Sequence, residues 1–116
     1  MSYMKSLQNN LKTIQDILNT TSASGRVYHY TRPHNIKPSW VVWQEDSEYQ
    51  SFNADNRKHE QQVHGTIDCY TATEFDPLLD EIQSALCDAQ IGWRLNTVSY
   101  EDDTNLIHYE WEFYVV

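Results

Sequence analysis

WRLNTVSYEDDTNLIHYEWEFYVV, residues 93–116, holds no glycine or proline and alternates large apolar with polar side chains along much of its length. It reads as a β-hairpin. Strands of roughly Trp93–Tyr100 and Leu106–Val116 flank Glu101-Asp102-Asp103-Thr104-Asn105, whose side chains bond readily to their own backbone and favour a turn. Strand side chains alternate between faces, so Ile107, Tyr109, Trp111, Phe113 and Val115 point one way, and His108, Glu110, Glu112 and Tyr114 point the other. The first set is expected to be core. A strand that runs on to Val116 must be paired or covered, within this chain or by another copy.

Ahead of the hairpin, Asp76-Pro77 opens a helix: the carboxylate can accept from free first-turn amides, and proline at the first helical position lacks an N–H that would be unpaired anyway. Leu78, Leu79, Ile82, Ala85, Leu86 and Ala89 form its apolar stripe. Asp80 and Glu81 suit the positive end of the dipole, and Gly92 is expected at the left-handed C-terminal position. Before it, residues 61–71 alternate as a half-buried strand, with Val63, Gly65, Ile67 and Cys69 opposed to His64, Thr66, Asp68 and Tyr70. Trp40 to Glu45 is another strand, and Arg26 to Tyr30 a further short one, separated by a loop between Arg32 and Pro38. Residues 46–60 are polar apart from Tyr49 and Phe52 and read as a long loop or projecting arm. At the N-terminus, Leu7, Leu11, Ile14 and Leu18, joined by Ile17 and extended toward Tyr3 or Met4, describe an amphipathic helix of about four turns, ended by Asn19-Thr20-Thr21-Ser22 and Gly25.

These elements predict an α+β fold: a single mainly antiparallel sheet with two helices packed on one face, an N-terminal helix, and a second helix before a C-terminal β-hairpin. At 116 residues the chain is expected to be a single domain, 1–116, with the arm at about 46–60. No apolar run is long enough for a membrane span and no signal peptide is visible, so no membrane association and an intracellular site of synthesis are expected. Cys69 and Cys87 lack CxxC spacing and read as reduced packing residues, one on the core face of its strand and one beside the helix stripe. Trp40 and Trp43 differ by three positions and so face opposite ways, which places at least one tryptophan on the outer face.

The formal net charge of -9 argues against nonspecific nucleic-acid binding. Its distribution is lopsided. Residues 1–44 carry five bases and one acid, net +4, whereas residues 45–116 carry sixteen acids and three bases, net -13. If folding preserves the asymmetry, complementary patches can register head-to-tail contact between copies.

Catalytic and metal readings fare poorly. His108, Glu110 and Glu112 share one strand face and contain metal-ligand chemistry, but alternate polar residues are the default for a solvated or partner-covered face. Glu101-Asp102-Asp103 lacks the spacing and central glycine of a calcium loop. Glu110 with Glu112 would be a carboxylate pair for acid–base work only if a cleft raised one pKa. A nucleophilic Cys69 or Cys87 would need one of the five histidines beside it, and Gly25, Gly65 and Gly92 form no phosphate-cradling cluster. No catalytic residue, metal ligand or cofactor is expected.

Four segments carry a resemblance across nearly the whole chain: Val41-Val42-Trp43-Gln44-Glu45-Asp46, His64-Gly65-Thr66-Ile67-Asp68-Cys69-Tyr70-Thr71, Asp76-Pro77-Leu78-Leu79-Asp80 and Leu106-Ile107-His108-Tyr109-Glu110-Trp111-Glu112-Phe113. They look similar to the small tail-completion proteins of long-tailed bacteriophages and prophages, the tail terminator and head-to-tail joining proteins. The resemblance implies a non-enzymatic virion structural protein, made in the bacterial host cytoplasm, that forms a homo-oligomeric ring, often a hexamer, at the head-proximal end of the tail. Its implied partners are copies of itself, the tail tube protein and head connector proteins, with DNA passing through the lumen without specific binding. A connector or minor capsid protein docking on the portal reads alike, and a small host enzyme or ligand-binding domain is the alternative of another class. The family has no catalytic set to transfer. Candidate subunit-contact or lumen residues are therefore Tyr49, Phe52, Arg57 and Lys58 on the arm and His108, Glu110, Glu112 and Tyr114 on the hairpin.

Overall fold

The structure is a computed structural model that describes residues 6–54 and 57–116, with the side chains of 49–60 left outside the description. Along the chain run α1 (Leu7–Leu18), β1 (Val27–His29), β2 (Trp40–Ala54), β3 (Arg57–Thr71), α2 (Pro77–Asp88), β4 (Gly92–Glu101) and β5 (Leu106–Val115). The five strands form one sheet in the order β1-β2-β3-β5-β4, antiparallel except for the β1–β2 pair. This is the α+β fold expected. The last strand sits inside the sheet, paired to β3 on one side and β4 on the other, so its pairing is completed within the chain.

Both helices lie on one face. Leu11, Ile14 and Leu18 of α1 and Leu78, Ile82 and Leu86 of α2 enter one core with Val41, Trp43, Ile67, Cys69, Trp111, Phe113 and Val115 of the strands. Each helix also supplies a glutamine to a buried indole: Trp43 Nε1 donates to Gln15 Oε1 at 2.6 Å, and Trp111 Nε1 to Gln83 Oε1 at 3.0 Å. Two large apolar residues thus stay in the core without stranding their N–H groups. Gly65 lies opposite Phe113 in the register, and a Cβ there would stand 2.2 Å from the Gln44 carbonyl oxygen and 2.4 Å from the Phe113 ring. Glycine is what lets that ring pack onto β3.

The helix boundaries follow capping chemistry. Ser6 Oγ accepts from the Asn9 amide and Asp76 Oδ1 from the Leu78 amide, with Pro77 in the first turn of α2. At the far end of α2, Gln90 adopts the left-handed conformation at φ 59, donating to Cys87, while Ile91 donates to Leu86 at 2.9 Å. This is a Schellman motif with its accompanying contact, since Leu86 and Ile91 both belong to the core. Gly92, expected at that left-handed position, is instead the first residue of β4; the apolar pair Leu86/Ile91 fixes the register two residues earlier.

Three further expectations change. Residues 46–60 are not a loop in their described part, because β2 continues to Ala54 and β3 begins at Arg57. Beyond Val63 these strands pair only with each other among the described residues, and with Tyr49 and Phe52 as the sole large apolar residues of 46–60 the sequence carries no period-two signal. Leu7 is 41% exposed, and the buried stripe of α1 starts at Asn10 and Leu11; Tyr3 and Met4 lie outside the described residues. Cys87 is exposed and accepts a hydrogen bond from Trp93 Nε1, so it is not a packing residue beside the stripe.

Candidate functional site

The sheet face opposite the helices carries the second half of every alternation. Its rows are Trp40, Val42 and Gln44 on β2, His64, Thr66, Asp68 and Tyr70 on β3, and His108, Glu110, Glu112 and Tyr114 on β5. Cross-strand register sets Asp68 directly against Glu110, a like-charge pair that is unfavourable by itself. The diagonal neighbour relieves it: His108 Nε2 lies 2.6 Å from Asp68 Oδ1, and Asn96 Nδ2 donates to Glu110 at 2.8 Å. Burial still pushes the Asp68 carboxyl above its ordinary range, with Glu110 adding to the shift and His108 opposing it.

A second cluster sits along the same face. Arg94 Nε donates to Glu112 Oε2 at 3.0 Å and a second guanidinium nitrogen closes the fork, while His64 Nε2 meets the other carboxylate oxygen at 3.3 Å. The Arg94 fork holds the Glu112 carboxyl below the usual glutamate range, partial burial opposes it, and His64 adds to the lowering. His64 Nδ1 reaches Asp46 at 2.6 Å, and the Tyr114 ring tilts against the imidazole with centroids 5.2 Å apart. His108, Glu110, Glu112 and Tyr114 are thus all half-buried members of a hydrogen-bonded mosaic. They converge on no single point: His108 meets Asp68, Glu110 meets Asn96, and Glu112 and Tyr114 share His64, with Arg94 on Glu112 as well.

Rings complete the face. Arg32 stands 4.5 Å above Trp40, Trp40 stacks on Tyr70 at 5.3 Å, and Tyr70 stacks on His108 at 4.2 Å. Trp40 does face away from Trp43, as alternation requires, yet it is only 4% exposed, because Arg32 and Tyr70 cover it. Its indole N–H has no partner among the described residues.

On the helix side, at the β1 end, His29 is stacked between Tyr30 and Trp43 at 3.7 and 3.9 Å. His29 Nε2 meets Glu45 Oε1 at 2.7 Å, and the Tyr30 phenol donates to the other oxygen. Burial works against the Glu45 charge, but the Tyr30 and His29 hydrogen bonds outweigh it and leave the carboxyl below its ordinary value. Sequence reasoning had no signal for this triad, since its members come together only through the parallel β1–β2 register.

The arm residues behave differently. The side chains of Tyr49, Phe52, Arg57 and Lys58 lie outside the described residues; the backbone places Phe52 opposite Glu60, Asn53 opposite Lys58 and Ala54 opposite Arg57. β5 joins β3 no further than Val63, so beyond that residue the hairpin is a two-stranded ribbon. Among the described residues no group of three or more His, Cys, Asp or Glu side chains is placed to hold a metal ion, and no helix is long and apolar enough to cross a membrane. The Cys69 thiol is buried in the core and pushed up to about 12, by burial first and then by Asp76 and Asp68. Such a thiol is protonated and shielded at neutral pH, whereas Cys87 is accessible. Chemically, the outer face is an array of donors and acceptors held by bonds to one another across β3, β5 and β4. No family model matches this sequence, and no curated protein matches it.

Proposed function

We propose that the protein is a phage or prophage virion structural protein that assembles with copies of itself into a ring at the head-proximal end of the tail, ending the tail tube and/or joining it to the head. The observation that carries this reading is the two-stranded ribbon of residues 49–54 and 57–61, which no third strand joins among the described residues and which runs about 20 Å at ordinary strand rise. Its register shifts between Glu48 and Ser51 and again between Phe52 and Asn53, and isolated two-stranded ribbons are marginal in water, so this one is suited to lying against a neighbour. The molecule measures 52 × 25 × 23 Å, elongated as a reaching subunit would be. The resemblance of the four sequence segments supplies the biological setting.

Within such a ring, the half-buried acids of the outer face are suited to a lumen, since a surface rich in Glu and Asp repels DNA phosphates and lets the genome slide through. The tube protein and the head connector are the implied axial partners. Deleting the gene from the phage or prophage that encodes it tests the reading. Overlong tails are the result expected of a terminator, and normal-length tails without heads that of a joining protein; normal infectious virions would overturn both. Removing residues 47–58 is expected to abolish assembly while leaving the thermal transition of the domain in place.

A further inference from the structure

The two ends of the sheet differ in length, charge and cover. β1 closes one edge with three residues. β4 closes the other with ten, paired only to β5, and all but Trp93 and Glu101 are exposed. Long exposed edges are templates for pairing and are usually blunted by lysine, proline or brevity. β4 has no lysine or proline, and its Arg94 is turned onto Glu112; only the bulge at Asn96 interrupts it.

The helix-side face of β4 is uncovered as well. Leu95, Val98 and Tyr100 are 42%, 51% and 58% exposed, and Phe75 stands 88% exposed on the turn before α2 at φ 59. Phe75, Val98 and Tyr100, with Leu79, Ile107 and Tyr109 beneath them, line a groove of about 830 Å³. Apolar groups gathered in this way, rather than scattered singly, mark a contact surface. Glu74 and Asp80 stand on its rim, and the adjoining β4–β5 turn carries Glu101, Asp102 and Asp103. Residues 72–116 contain ten acids and one base, Arg94.

The opposite end of the sheet has the complementary character. Residues 21–44 contain three bases, Arg26, Arg32 and Lys37, and no acid. Arg32 and Lys37 are exposed on the loop between β1 and β2, which also holds the half-buried Ile36, and Tyr30 beside it is 52% exposed. The bases of residues 21–44 thus lie toward the β1 edge and the acids of the β4–β5 turn toward the β4 edge, with Glu45 at the β1 edge already engaged by His29 and Tyr30.

We propose that the β4 edge and the Phe75 groove receive the basic β1–β2 loop of a second copy of this chain, a head-to-tail contact. It rests on the ring reading for its biological purpose but not for its physics. Two different patches meet, so a pair of copies keeps one free patch of each kind, and association closes into a ring or grows until it does. Apolar burial of Phe75, Val98 and Tyr100 gives the contact its strength, and the acid–base pairing gives it direction.

Two half-blocked variants test it. One carries Phe75→Ser and Val98→Lys, which spoil the groove; the other carries Arg32→Glu and Lys37→Glu, which reverse the loop. Because Arg32 also covers Trp40, Lys37→Glu alone is made as a second loop variant, and near-ultraviolet circular dichroism checks that each remains folded. By sedimentation velocity at high micromolar concentration, the unmodified protein is expected to associate beyond dimer. Each doubly substituted variant alone should be monomeric, Lys37→Glu alone should associate at least tenfold more weakly than the unmodified protein, and an equimolar mixture of the groove and double-loop variants should stop at a dimer of the one intact pair. A mixture that stays monomeric while the unmodified protein associates would overturn the contact and leave the ring reading to another surface. An unmodified protein that stays monomeric would overturn a second copy as the occupant. Dimers formed in solution together with normal virions after gene deletion would uphold the contact and sink the ring reading.

Discussion

The two strands of the C-terminal hairpin have the same length, ten residues, and opposite surroundings. β5 is flanked by β3 and β4, and Leu106, Trp111, Phe113 and Val115 are buried along it. β4 is exposed along nearly its whole length, although it carries Trp93, Leu95, Val98 and Tyr100 on one face. What separates them is position in the sheet. β5 has strands on both edges and helices above, so its apolar face is consumed by folding. β4 has a strand on one edge and little of α2 above it, so its apolar face is left for another surface. β5 is spent on the core; β4 is left exposed beside it.

That contrast can be strained from the β5 side with the largest effect. Phe113→Ala removes a fully buried ring from the centre of the core and is expected to cost about 3–5 kcal/mol in urea unfolding. Gly65→Ala drives a methyl into the Gln44 carbonyl and the Phe113 ring, neither of which has room to move, and should cost about 1–3 kcal/mol. A loss within a few tenths of a kcal/mol in either case would mean that β5 is not the strand on which the core depends. From the β4 side the effect on folding should be far smaller: Val98→Thr is expected to change unfolding free energy by less than about 0.5 kcal/mol while weakening self-association.

The outer face of β5 adds a pH signature. Glu112 has a folded pKa lowered by the Arg94 fork, so its contribution to stability is present above the unfolded glutamate value and is lost as pH falls through the lower folded one. Glu112→Gln should therefore flatten the decline in melting temperature below roughly pH 4–5. Asp68 has the opposite sign. Its folded pKa is raised, so protonation favours the folded state and the ionised form weighs against stability once pH rises above the folded value. Asp68→Asn should accordingly steepen the acid decline relative to the unmodified protein. Equal slopes for the two variants would show that the mosaic does not couple the two carboxyls to their different neighbours.

Much of the architecture was legible because its signals are local. The Asp76-Pro77 start, the alternation of 61–71 and of 106–115, and the apolar stripes of both helices each name an element and the face it buries. What stayed hidden was set by register or by the lack of a core. Asp68 and His108 are forty positions apart and meet only because β3 and β5 align Tyr70 with His108. Residues 46–60 hold only Tyr49 and Phe52 as large apolar groups, so the pairing of the ribbon left no alternation in the sequence. Alternation set Trp40 and Trp43 on opposite faces without saying which faces outward, and the cover of Trp40 by Arg32 and Tyr70 depends on a loop path that composition does not encode. Phe75 gave no signal at all, since a single aromatic in a turn reads as punctuation until β4 is seen beside it.

Hydrogen–deuterium exchange followed strand by strand, at dilute and at associating concentrations, tests the division between the two strands most directly. The account predicts that the amides of β5 are slow at both concentrations, and that those of Thr97–Glu101 in β4 are fast when dilute and become slow on association. Exchange in β4 that stays fast while the protein associates, or that is already slow in the dilute monomer, would contradict it.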